Sequence, residues 1–164
     1  MAKAVFLDRD ETINPDPGYI NNPDHFELFP WVPECLALLR AAGFKLVLIT
    51  NQSGIGRGIV TVEQLEAVHQ KMNRLLREAQ VAPFDLIEVC PHTPEMGCDC
   101  RKPKPKLILD AAQKLKLDLN QCYLIGDRDT DVQAGVLAGL KQSFKMAKGS
   151  ETDFRQAIHS ILAK

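Results

Sequence analysis

The longest apolar runs in this chain fall well short of the ~20 residues that a membrane-spanning helix needs. Neither sign of charge is in excess. Twenty Lys and Arg against 21 Asp and Glu leave a formal net charge of −1, which gives no global pull toward nucleic acid or an anionic membrane. Internal repeats, low-complexity tracts and interdomain linkers are missing too. Residues 1–164 are therefore expected to form a single domain, long enough for a real core. The opening Met1-Ala2-Lys3-Ala4 leads into a strand pattern without a signal-peptide h-region, so a cytoplasmic location is the expectation. The expected partner is a small molecule rather than nucleic acid or a membrane, and a short chain is expected to be a monomer. The five cysteines are odd in number and three fall within an eleven-residue window, which favours a metal over disulfides in a reducing compartment.

What is present is alternation. Apolar strand candidates are Ala4–Leu7, Lys45–Thr50, Leu86–Cys90, Cys122–Ile125 and Gln142–Lys145. Helical patterns lie between them. Val32–Ala42 stops at Gly43. Thr61 and Gln64 suit a capping box opening a helix that runs to about Gln80. Lys106–Leu115, Thr130–Ala138 (ended by Gly139) and Asp153–Leu162 complete the set. This order predicts an α/β fold with a three-layer, doubly wound, mostly parallel sheet. In such sheets ligands bind beyond the carboxyl ends of the strands.

Polar motifs follow four of those ends. Asp8 and Asp10 sit at i and i+2 after the first strand, where alternation lets both face one pocket, and two close carboxylates call for a cation or a shared proton. Thr50-Asn51-Gln52-Ser53-Gly54 offers a hydroxyl and a Gly-rich backbone to a phosphate oxygen. Arg101-Lys102-Pro103 supplies two cations. In Gly126-Asp127-Arg128-Asp129-Thr130-Asp131, Gly126 is read as letting the chain turn and Asp127 as able to join the metal site. A metal site, a nucleophile and a cationic clamp are the inventory of phosphoryl transfer. Separately, Cys90-Pro91-His92 and Cys98-Asp99-Cys100 match a closed Cys₃His zinc site of structural type, directly ahead of Arg101-Lys102. Cys35 and Cys122 fall in core patterns. His25, His69 and His159 lack a partner pattern and are read as structural or exposed.

The order Asp-x-Asp, Thr, Lys, Gly-Asp-x-x-x-Asp resembles the haloacid dehalogenase superfamily of phosphatases over nearly the whole chain. The resemblance implies a haloacid dehalogenase-like fold with Mg²⁺ at the sheet edge. It implies Asp8 as the nucleophile that forms an aspartyl-phosphate and Asp10 as the general acid and base. Thr50 and Lys102 would hold the phosphoryl oxygens, and Asp127 would bind Mg²⁺ with Asp8 and the backbone carbonyl of Asp10. Asp131 would support the site from behind or through water. One residue departs from the pattern: Glu11 stands where Gly is usual, adding negative charge near the phosphate and facing strain if φ is positive there. The cysteine loop is similar to the essentially capless branch containing D-glycero-D-manno-heptose-1,7-bisphosphate 7-phosphatase and histidinol-phosphate phosphatase. Thr50–Gly58, Ile13-Asn14 and Gly18-Tyr19-Ile20 are similar to the heptose enzyme, while the five-residue spacer between His92 and Cys98 is similar to the histidinol one. Release of the 7-phosphate of heptose 1,7-bisphosphate is the leading expectation, with Asn51, Ser53, Arg57 and Arg101 as substrate-binding residues. The alternatives are histidinol phosphate, a nucleic-acid 3′ end, and a zinc-stabilised binding module without catalysis.

Overall fold

The computed structural model describes residues 1–163. Five parallel strands, β1 (Ala4–Leu7), β2 (Lys45–Asn51), β3 (Leu86–Cys90), β4 (Tyr123–Gly126) and β5 (Gln142–Lys145), pair in the order β3-β2-β1-β4-β5. The helices are α1 (Val32–Ala41), the short α2 (Ser53–Gly56), α3 (Val62–Glu78), α4 (Lys106–Leu115), α5 (Asp129–Ala138) and α6 (Glu151–Leu162). None of the described helices is long and apolar enough to cross a membrane.

Strand alternation divides the core between two layers. Val5, Leu7, Leu46, Leu48, Tyr123 and Ile125 face α1, α3 and α6. Ala4, Phe6, Val47, Ile49, Cys122 and Leu124 face α4 and α5. Both faces of β1 are covered, which is why it reads as an unbroken apolar run rather than an alternating one. Helix α3 opens with the expected capping box: Gln64 N donates to Thr61 Oγ1 at 3.1 Å and Thr61 N donates to Gln64 Oε1 at 2.9 Å. Gly43 and Gly139 follow α1 and α5 with φ of 84° and 81°. Phe29 stacks on Trp31 with ring centroids 4.8 Å apart where the chain enters α1.

Several boundaries differ from the sequence expectation. Helix α3 stops at Glu78 because Gln80 takes φ of 62°, outside the helical region. Helix α6 begins two residues early, at Glu151, because Ser150 Oγ accepts from Asp153 N and caps it. Helix α5 starts at Asp129, and β4 starts at Tyr123 rather than Cys122. The turn α2 has no hydrophobic period and was not anticipated. Glycine makes it possible. A Cβ on Gly54 would lie 2.8 Å from the Tyr19 ring, and one on Gly56 would lie 2.9 Å from the Pro91 carbonyl oxygen.

Candidate active site

The carboxyl ends of β1, β2 and β4 deliver their polar residues to one place. Asp8 leaves β1 with its backbone N–H still donating to Ile125 O on β4 at 3.2 Å. Lys102, only 3% exposed, reaches under it. Its ammonium donates to Asp8 Oδ1 at 2.8 Å and to Ile49 O at 2.9 Å, and it pairs with Asp131 Oδ1 at 2.7 Å. Burial alone would disfavour that charge, but Asp8 and Asp131 outweigh it and hold the ammonium above the ordinary lysine range.

Asp127 completes an acidic cluster: one carboxylate oxygen from each of Asp8, Asp127 and Asp131 lies within 4.8 Å of the others. Thr12 Oγ1 donates to Asp127 Oδ1 at 3.4 Å, whereas Asp127 Oδ2 is buried without a hydrogen-bond partner. Burial, and then the Asp8 carboxylate beside it, push Asp127 up to about 7. Burial and Asp8 also raise Asp131, against the pull of Lys102. Three carboxylates around one lysine, with an orphaned buried oxygen, fit a hard divalent cation held by oxygen ligands.

Gly126 has a different role from the expected turn. A Cβ there would collide with the Asp131 carboxylate, so glycine is what lets Asp131 approach Lys102. Asp131 also accepts from Arg128 N at 3.1 Å, which locks the start of α5.

Asp10 sits in a separate web. Its Oδ1 accepts from Arg9 Nε at 2.9 Å and Asn14 Nδ2 at 3.0 Å. Its Oδ2 accepts from Arg9 Nη2 at 3.2 Å and Gln52 Nε2 at 3.1 Å. Burial would raise its proton affinity, but the Arg9 charge and these donors win and hold Asp10 below the ordinary carboxylate range. Gln52 Nε2 also donates to Thr50 Oγ1 at 2.7 Å, tying the two sets of residues together.

Glu11 has φ of 65°, the strained conformation anticipated for that position. The carboxylate turns back to accept from Asp16 N at 2.8 Å, and Asp16 lines the cavity beside Asp8 and Lys102.

That cavity, about 290 Å³, is lined by Asp8, Asp10, Ser53, Arg101, Lys102 and Asp131, among others. It adjoins a hollow of about 640 Å³ carrying Lys104, Lys145 and Asp129, and Asn51, Arg101, Lys102, Arg128 and Thr130 line both. Asn51 faces the cavity and braces the clamp: Oδ1 accepts from Lys102 N at 3.1 Å and Nδ2 donates to Lys102 O at 3.3 Å. Arg57 stands apart: it is exposed and lines neither space. Arg9, Gln52 and Arg128 were not singled out from the sequence. Only the proximity of Arg128 to Asp127 hinted at its place.

The cysteine loop closes as a cluster. Cys90 Sγ, His92 Nδ1, Cys98 Sγ and Cys100 Sγ lie within 4.8 Å of one another. His92 Nδ1 is 3.5 Å from Cys90 Sγ and 3.3 Å from Cys100 Sγ, near the ~3.5 Å separation expected between ligands of tetrahedral zinc. Arg101 Nη1 donates to His92 O at 3.3 Å, and Lys104 donates to Cys98 O, so the loop grips both sides of Lys102.

The chain is similar to known proteins. The family model described as haloacid dehalogenase-like hydrolase matches residues 2–139. A D-glycero-beta-D-manno-heptose-1,7-bisphosphate 7-phosphatase of Photorhabdus laumondii is 41% identical over 97% of this chain and 89% of its own length. The protein of that name from Escherichia coli K12 is 42% identical over 85% of this chain and 78% of its own length. The crystal structure of D,D-heptose 1,7-bisphosphate phosphatase from B. bronchiseptica, complexed with magnesium and phosphate, superposes with a TM-score of 0.88 at 32% identity over 99% of both chains. By its fold, its site and these relatives, the chain belongs to the haloacid dehalogenase-like hydrolase family.

Proposed function

We propose that the chain is a Mg²⁺-dependent phosphomonoesterase that removes the 7-phosphate of D-glycero-D-manno-heptose 1,7-bisphosphate. The observation that carries the substrate choice is the basic hollow beside the catalytic cavity. Arg101, Lys104 and Arg128 suit the second phosphate of a sugar bisphosphate, while Lys145 is paired with Asp129 at 2.8 Å in the same hollow. Histidinol phosphate carries an ammonium group instead, which those cations repel. The relatives' names support the same choice.

Lys102 and Asp8 meet the phosphate together, the lysine offsetting repulsion between carboxylate and phosphate. The Asp8 carboxylate attacks phosphorus. The bond from phosphorus to the ester oxygen breaks, its electron pair stays on that oxygen, and Asp10, whose proton affinity rises as the phosphate dianion settles beside it, supplies the proton. Water then attacks the aspartyl-phosphate while Asp10 takes its proton, and Asp8 leaves as a carboxylate. Thr50 and Lys102 hold the phosphoryl oxygens through both steps. Mg²⁺, held by Asp8, Asp127 and the backbone carbonyl of Asp10, would neutralise charge on those oxygens when bound.

The test is phosphate release with Mg²⁺ from heptose 1,7-bisphosphate, histidinol phosphate and a 3′-phosphorylated oligonucleotide. The heptose bisphosphate is expected to give the highest kcat/KM by at least about tenfold. Preference for either other substrate overturns the assignment.

We also propose that Cys90, His92, Cys98 and Cys100 hold one structural Zn²⁺. Removing it by chelation, or by Cys100→Ser, is expected to lower Tm by roughly 10 °C and to weaken turnover, because Lys102 follows the loop directly. Metal analysis and thermal melts check this. A chelated protein with unchanged Tm and rate would refute it.

A further inference from the structure

We propose that Arg9 is the positioning residue that aims Asp10 at the leaving-group oxygen, and that His69 holds Arg9 from behind. The inference rests on the reading of Asp10 as general acid and base.

Arg9 is the middle residue of Asp-x-Asp, so strand alternation points it away from Asp8 and into the protein. Among the described residues it is the largest fully buried side chain, 1% exposed. A buried guanidinium is costly, and an apolar side chain would fill the space more cheaply. Its presence there fits a positional use. Nε and Nη2 span both oxygens of Asp10, and a planar fork fixes the carboxylate plane as a point charge could not. The same Nη2 donates to Gln52 Oε1 at 3.3 Å, and Gln52 in turn holds Asp10 and Thr50.

The remaining arm, Nη1, lies 3.2 Å from His69 Nε2, on α3 and sixty positions away in the chain. Arginine only donates, so Nε2 accepts and the imidazole is neutral with its proton on Nδ1. Burial, and then the Arg9 charge, push His69 down to about 4, consistent with that form. Helix α3, anchored in the core by Val68, Met72 and Leu76, thus sets the angle of the fork.

A misaimed acid matters most when the leaving group is poor, because a good leaving group departs without a proton. The test is kcat/KM across aryl phosphates running from 4-nitrophenyl to phenyl, for wild type, His69→Leu, His69→Gln, Arg9→Lys and Asp10→Asn. His69→Leu and Arg9→Lys are expected to lose at least about tenfold more on phenyl than on 4-nitrophenyl phosphate, in proteins whose circular dichroism is native. His69→Gln, which restores an acceptor, is expected to recover most of that difference. Equal losses on both esters in His69→Leu and Arg9→Lys, while Asp10→Asn discriminates, overturn the proposal alone. An Asp10→Asn variant that fails to discriminate brings down the acid–base reading, and the proposal with it.

Discussion

Replacing Asp8 by Asn is expected to lower phosphate release by at least about 10⁴-fold while leaving the protein folded and able to bind phosphate. The two side chains are nearly isosteric, and the amide oxygen can keep the bond that Asp8 Oδ1 accepts from Lys102 Nζ at 2.8 Å. What disappears is the nucleophile, since an amide does not form the covalent phosphoryl bond. Affinity for inorganic phosphate is expected to hold or rise, because one of the carboxylates facing the anion is gone and Lys102 remains. Titration calorimetry with phosphate separates this result from unfolding. A variant retaining a tenth of the wild-type rate would show that attack does not come from Asp8. A variant that loses phosphate binding would show that Asp8 serves chiefly to hold the site together.

The fold was readable in the sequence wherever one residue type had one physical use. Ala4–Leu7 and Lys45–Thr50 read as buried strands because both faces of a central parallel strand are apolar. Thr61 and Gln64 marked a helix start because reciprocal capping needs that spacing. The paired Cys-x-His and Cys-x-Cys spacings marked the cluster for the same reason, as short loops bring their ligands together. Contacts between distant segments left no such trace. The bond from Arg9 to His69 joins the end of β1 to the middle of α3, and a lone histidine in a helical pattern carries no sign of its partner. The need for glycine at 126 looked like a turn, yet it arises from a carboxylate five residues later packing against the backbone. Asn51 is expected to bind substrate because its loop is similar to that of the heptose enzyme, and only the fold shows that it also braces the backbone of Lys102.

Lys102→Met is expected to damage stability and activity together, and Mg²⁺ is expected to restore only the first. Lys102 is the cation buried among Asp8, Asp131 and the Ile49 carbonyl. Methionine fills similar space but leaves the carboxylates of Asp8, Asp127 and Asp131 without that counter-charge. Removing one partner from a buried ionic network costs about 3–5 kcal/mol, equivalent here to a Tm lower by roughly 10 °C. A divalent cation supplies the missing positive charge to the folded state alone. Saturating Mg²⁺ should therefore raise the Tm of the variant more than that of the wild type. Turnover should stay down by about 10²–10³-fold even then, because a phosphoryl oxygen has lost its ammonium partner. Lys102→Arg should not rescue it, since a planar fork cannot replace a point charge that meets three acceptors in a space this enclosed. Thermal melts with Mg²⁺ and with a chelator, beside steady-state rates, read both effects. A variant as stable as the wild type without Mg²⁺ would mean that the acidic cluster is relieved by protonation.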